Sequence, residues 1–168
     1  MSFPFLLNKY FAKKLFAALA GLFCLGVFAV SAASAASVAG AQDGPNVITI
    51  TQTPCQFIET ERELLKNPPG SYEGCKKFNE QTKGSRPIIP MKLKPGKYIF
   101  RVTNKNVPYD LGFWLRGKGL KRAILPSVSG GSIPIGGTKD FAITLVKGKY
   151  LFSCPLNPTP DYPITVED

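Results

Sequence analysis

Apolar and polar residues alternate along most of the chain beyond residue 45. The run VITITQT (47–53) has a period of two, and KYIFRVTN (97–104) is rich in aromatic and β-branched side chains. LGFWLRG (111–117), RAILPSV (122–128), KDFAITLV (139–146), KYLFSC (149–154) and YPITVE (162–167) follow at regular spacing. Turn-forming clusters separate them: KPGK, NKNVP, SGGS, IGGT, KGK and NPTP. This pattern predicts an all-β chain folded as a Greek-key β-sandwich of about seven or eight strands. The single helical candidate is ETERELLK (59–66), stopped by Asn67, Pro68 and Pro69, because proline lacks an amide donor and restrains the residue before it. It falls in a loop-rich insertion over about 55–90, and excursions of that length inside a domain are usually stapled or functional. VSGGSIPIGG (128–137) reads as a glycine-rich loop able to cover a site as a flap.

The beginning of the chain breaks the alternation. Lys9, Lys13 and Lys14 precede the continuous apolar run LFAALAGLFCLGVFAV, and small residues follow in SAASAASVAGAQ. That order is a secretory signal peptide over residues 1–41, with cleavage after Ala35 or Ala41; a retained single-span anchor is the alternative. Residues 42–168 are then expected to form one domain, exported to the periplasm or secreted, with no stable membrane insertion once the signal is removed. The exported part keeps 18 Lys and Arg against 11 Asp and Glu, a net charge of about +7.

A positive balance selects anionic partners, an acidic protein face or a lipid headgroup. Nucleic acid is not implied, since export removes the chain from it and the charges are scattered. The exception to that scatter is RGKGLKR, where Arg116, Lys118, Lys121 and Arg122 share one short loop beside Trp114. Those five residues are the candidate partner-docking set, and a solvated turn is the plainer reading of them.

Cys55, Cys75 and Cys154 lie beyond the signal. An odd count in an oxidising compartment leaves one thiol over. The simplest pairing joins Cys55 to Cys75 and closes a twenty-residue loop. Alternatively, Cys55 serves as a second thiolate beside Cys154 and Cys75 is free. The chain has no histidine. It also has no metal-binding CxxC pair, no phosphate-cradling glycine loop after a strand, and no serine with an evident partner, so hydrolysis and group transfer are not expected.

Two segments carry a resemblance. VTNKNVPYDLGF (102–113) and FSCPLNPTPDY (152–162) resemble the two places where cupredoxins hold copper, and the likeness covers Tyr98 to the end. NKNVPYDLGF together with CPLNP is most similar to the red-copper branch, nitrosocyanin. The resemblance implies that Cys154 stands at the thiolate position and Asp110 near a carboxylate position, with Asn157 and Tyr162 where imidazoles would be. A thiolate with two imidazoles and a weak axial ligand suits copper in both oxidation states. The cofactor expected is therefore copper or none. The corresponding role is a metal-handling or electron-transfer accessory with a histidine-free site, working with a redox or copper-handling protein that has an acidic face. The rival is a metal-free binding module that docks a partner through its basic loop. A third reading is thiol chemistry at an activated Cys154.

Overall fold

The computed structural model describes residues 44–168. The segment read as a signal peptide, with the expected cleavage sites and the alternative anchor, lies outside the described residues. Nine strands form two sheets: β1 (Asn46–Thr53), β2 (Gln56–Phe57), β3 (Met91–Leu93), β4 (Gly96–Asn104), β5 (Leu111–Gly117), β6 (Val128–Ile133), β7 (Thr138–Leu145), β8 (Gly148–Ser153) and β9 (Tyr162–Val166). One sheet runs β2-β1-β4-β7 and the other β3-β9-β8-β5-β6. Pairing is antiparallel except for β1 with β4 and β3 with β9. The β1–β4 register runs from Asn46 opposite Tyr98 to Gln52 opposite Asn104. The two-sheet β-sandwich expected from the alternation is the fold observed.

Period two puts one side of each strand into the interior. Phe141, Ile143 and Leu145 of β7 point inward with Ala142 and Thr144 between them, and Tyr98, Phe100 and Val102 of β4 point inward with Ile99 and Arg101 on the other face. The second sheet answers with Phe113, Leu115, Tyr150, Phe152, Tyr162, Ile164 and Val166. At the centre, Phe57 meets Phe152 and Tyr162 edge-on at 5.2 and 5.5 Å, and Phe113 packs on Phe100 at 5.6 Å and Phe141 at 5.1 Å. Edge and offset contacts of this kind add to plain area burial.

Two expectations are corrected. Residues 59–66 are not an α-helix: only Ile58–Thr60 form a single 3-10 turn, and the helix of the insertion is α1 (Tyr72–Gln81). The fully buried amide of Gln56 explains the first half, donating to the Glu63 carbonyl and accepting from Leu65 N–H, so those backbone groups cannot join a helical ladder. Ser71 explains the second half. Its Oγ accepts from Gly74 N–H and caps α1, so the prolines at 68 and 69 precede the helix instead of ending one.

The other correction concerns residues 122–133. RAILPSV supplies the last two residues of a 3-10 turn (Gly119–Ala123) and then a loop up to β6, whereas the glycine-rich VSGGSI is strand β6 and not a flap. Close packing, not flexibility, accounts for Gly130 and for Gly112 of β5 opposite it. A Cβ at Gly130 would lie 3.0 Å from the Phe141 ring, and one at neighbouring Gly112 would lie 2.9 Å from the Gly130 carbonyl oxygen.

The insertion is fastened to the sandwich covalently and ionically. Cys55 and Cys75 form a disulfide, the first of the two alternatives read from the sequence. Closing a loop of this length contributes about 3 kcal/mol by constraining the unfolded chain. Beside it, Glu61 and Arg86 pair with both side chains buried, the Tyr162 hydroxyl donates to Glu61 Oε1 at 2.5 Å, and Arg86 also donates to Asn79 and to the Cys55 carbonyl. Burial, then the Glu61 carboxylate, push the Tyr162 phenol far above its ordinary range, so it remains a donor.

Removing the cation would strand Glu61 in the interior. Arg86→Met is expected to lose about 3–5 kcal/mol of stability in urea denaturation with the disulfide intact. A loss below about 1 kcal/mol would mean that Glu61 finds water or another partner.

Candidate functional site

β8 ends at Ser153, and Cys154 follows as the first residue of a loop stiffened by Pro155, Pro158 and Pro160. Its backbone N–H no longer serves the ladder and donates to Thr159 Oγ1 at 3.0 Å, which curls the loop back on itself. The thiol is 1% exposed. Its sulfur accepts N–H groups from Gly112 at 3.3 Å and Asn157 at 3.2 Å. Gly112 lies three residues after Tyr109, so the loop end of β8 and the corner before β5 do meet at this sulfur.

Asn157 is fully buried. Its Oδ1 accepts from Cys55 N–H at 3.0 Å and from the Tyr109 hydroxyl at 3.5 Å, while Nδ2 donates to the Thr53 carbonyl at 3.0 Å. The Cys55 N–H thus occupies one lone pair of the amide oxygen, and the Tyr109 hydroxyl stands at long range beside the other.

Gln52, the last inward position of β1, is also fully buried. Its Nε2 donates to the Gly112 carbonyl at 2.8 Å, its side chain reaches the Cys154 sulfur, and its Oε1 has no partner within the protein. Sequence reasoning missed this residue. The available signal was a polar side chain ending the inward series Ile48, Ile50, Gln52.

Electrostatics keep the sulfur neutral. Burial pushes the Cys154 thiol above its ordinary range, and the Gly112, Asn157 and Leu156 amides with the Gln52 side chain only partly oppose it. Tyr109 is also raised, first by burial and then by the charge a Cys154 thiolate would carry. A raised thiol pKa means that the sulfur's contribution to stability is whole below the ordinary thiol pKa and fades as pH climbs through the raised one.

Of the donors expected around copper, the structure gathers Cys154 and Asn157 and adds Tyr109 and Gln52. It does not gather the rest. Asp110 is exposed, the Tyr162 hydroxyl is held by Glu61 and by Phe57 N–H, and the Cys55 sulfur is in a disulfide. Among the described residues no three His, Cys, Asp or Glu side chains converge. One cysteine beside an amide whose oxygen already accepts from Cys55 N–H, with no imidazole or carboxylate converging on it, does not fit copper, which takes thiolate and imidazole. Nor does the low-pKa, accessible sulfur that thiol chemistry requires exist here.

The basic loop sits where β5 leaves the sheet. The Trp114 ring has the Arg116 guanidinium 4.1 Å from its centroid and that of Arg122 at 4.3 Å. Arg116 is buried and donates to Asp161 at 2.6 Å and Ser153 Oγ at 3.1 Å, so its charge is spent inside the molecule. Lys118, Lys121 and Arg122 are exposed. Lys118 and Lys121 face Lys147 and Lys149 across a surface cavity of about 380 Å³ that Leu125 and Gly148 complete.

No family model matches the chain, and no curated protein does. Among solved structures it is similar to auracyanin B, at 12% identity over 76% of this chain and 94% of that chain, with a TM-score of 0.45. Neither the identity nor the overlap carries a residue of that protein onto this one.

Two outcomes follow from the geometry. In the folded protein at pH 7, Cys154 is expected to resist alkylation by iodoacetamide and to react at once in denaturant; a fast native reaction would contradict the buried, neutral thiol. Asn157→Ala leaves Cys55 N–H and the Thr53 carbonyl without partners, each at about 1–3 kcal/mol. The thermal midpoint should fall accordingly, with no change in the oxidation state of Cys55 and Cys75.

Proposed function

We propose that the chain is an exported, metal-free binding module on a cupredoxin-like sandwich, and that it docks a negatively charged partner through the loop 116–122. The observation that carries this reading is the contrast between the two ends of β5. At the Cys154 end every buried side-chain nitrogen and oxygen but Gln52 Oε1 has a partner within the protein. At the other end Lys118, Lys121 and Arg122 face solvent on a footing made rigid by the Arg116–Asp161 ion pair and the Arg–Trp–Arg stack. Ordered cations with no competing internal partner attract a complementary surface and steer its approach. Export and the absence of a bound metal are parts of the proposal and rest on the signal-like N-terminus and the donor chemistry.

Retention on immobilised polyglutamate tests it. The exported protein should bind at low salt and elute as ionic strength screens the contact, and Lys118→Glu/Lys121→Glu should abolish retention with unchanged circular dichroism. Equal retention of that variant would overturn the docking assignment. Copper at about one per chain with a visible charge-transfer band, in protein purified from the exporting cell, would overturn the metal-free part.

A further inference from the structure

The docking loop carries a feature that charge alone does not explain. Leu120, in the middle of its 3-10 turn, is 99% exposed, and Ile124 just after the turn is 69% exposed. Gly119, at φ +60, sets the chain's direction immediately before Leu120. Both aliphatic side chains therefore stand out among cations: Lys118, Lys121 and Arg122 on the same loop, with Lys147 and Lys149 across the cavity. Among the described residues only Lys147 of these has a carboxylate partner, Asp168 at 2.7 Å. No acidic residue lines the cavity.

Resting on the docking reading above, we infer that the partner surface is an anionic lipid bilayer, with Leu120 and Ile124 entering the headgroup–acyl boundary while the lysines pair with lipid phosphates. The composition of the patch decides between a bilayer and an acidic protein. Protein interfaces concentrate their affinity in aromatic and arginine anchors and are depleted in lysine. Here Trp114 and Arg116 are already held within the fold, and what remains free is aliphatic and mostly lysine. Bare aliphatic side chains at the apex of a basic surface match the boundary of an anionic membrane, where apolar burial and attraction to headgroups act together. Lysine suits such a position, since its stem tolerates the apolar layer while the ammonium stays at the headgroups. Binding of this kind is peripheral and reversible, and no helix among the described residues is long and apolar enough to cross a membrane.

Trp114 is the chain's single tryptophan and lies under this loop, so its emission reports contact there whatever the N-terminus does. The exported protein should be titrated with vesicles of phosphatidylcholine containing phosphatidylglycerol, with pure phosphatidylcholine vesicles, and with soluble polyglutamate. The expected result is a shift in Trp114 emission with the anionic vesicles that survives a salt concentration at which the polyglutamate response is screened away, and none with pure phosphatidylcholine; equal loss of both responses with salt would overturn the bilayer assignment. Lys118→Gln/Lys121→Gln should weaken the apparent partition at least ~20-fold and Leu120→Ser about 10-fold or more. Both variants alter exposed side chains, and unchanged melting confirms that they fold. A response to polyglutamate without one to vesicles would overturn the bilayer assignment and leave the docking reading standing. No response to either would overturn both. Vesicle binding that neither variant weakens would place the contact elsewhere and overturn the inference.

Discussion

The side-chain amide of Asn157 is the joint on which the loop end of the sandwich depends. It is wholly buried and ties the loop after β8 to the tight link between β1 and β2, holding Thr53 by its carbonyl and Cys55 by its N–H. A buried amide so placed is worth its hydrogen bonds only if all are made, since a half-satisfied polar group in an apolar setting costs more than no group at all. The price of that completeness is chemical silence: the oxygen that could have met a cation already accepts from Cys55 N–H.

Cys55 extends the same logic into the insertion. Its N–H goes to Asn157, its carbonyl accepts from Arg86, and its sulfur is bonded to Cys75. It adopts φ +65, a left-handed conformation uncommon for a residue with a Cβ, and three independent attachments hold it there. Arg86 in turn neutralises Glu61, which receives the Tyr162 hydroxyl from β9. Buried ion pairs contribute little net stability against apolar substitutes, but they specify one geometry. Here that geometry docks a polar excursion, α1 included, onto an apolar sandwich that it could not otherwise recognise.

What was legible in the sequence follows from which forces act locally. Strands such as VITITQT and KDFAITLV announce themselves because each alternate residue enters the same core, and the meeting of the Cys154 loop with the Tyr109 corner follows from the order of those strands. Helix α1 was illegible because YEGCKKFNEQ offers only Tyr72, Cys75 and Phe78 as apolar positions; a cap at Ser71 and a covalent bond at Cys75 supplement the narrow face it buries. The 59–66 segment misled for the opposite reason, since its helix-forming residues were overruled by one distant amide, Gln56. In β6 the Gly130 that looks like flexibility is crowded by Phe141, and its carbonyl in turn crowds Gly112 of β5, contacts that exist only after the sheets assemble. Asp110 and Tyr162 read as ligands by position along the chain, yet one faces solvent and the other is bound to Glu61.

The two ends of the second sheet do different work, and their separation bears on function. β5 and β8 pair with Trp114 opposite Ser153 and Gly117 opposite Tyr150, so the strand that begins beside the Cys154 sulfur finishes at the basic loop. The six residue steps from Gly148 to Cys154 span roughly 20 Å at strand rise. A partner seated on Lys118, Lys121 and Lys149 therefore has no direct contact with the thiol, and nothing in the docking surface requires the thiol to react. The buried sulfur accepts from the Gly112 and Asn157 amides and belongs with Asn157 to the scaffold at the start of β5, where that strand shifts register against β6.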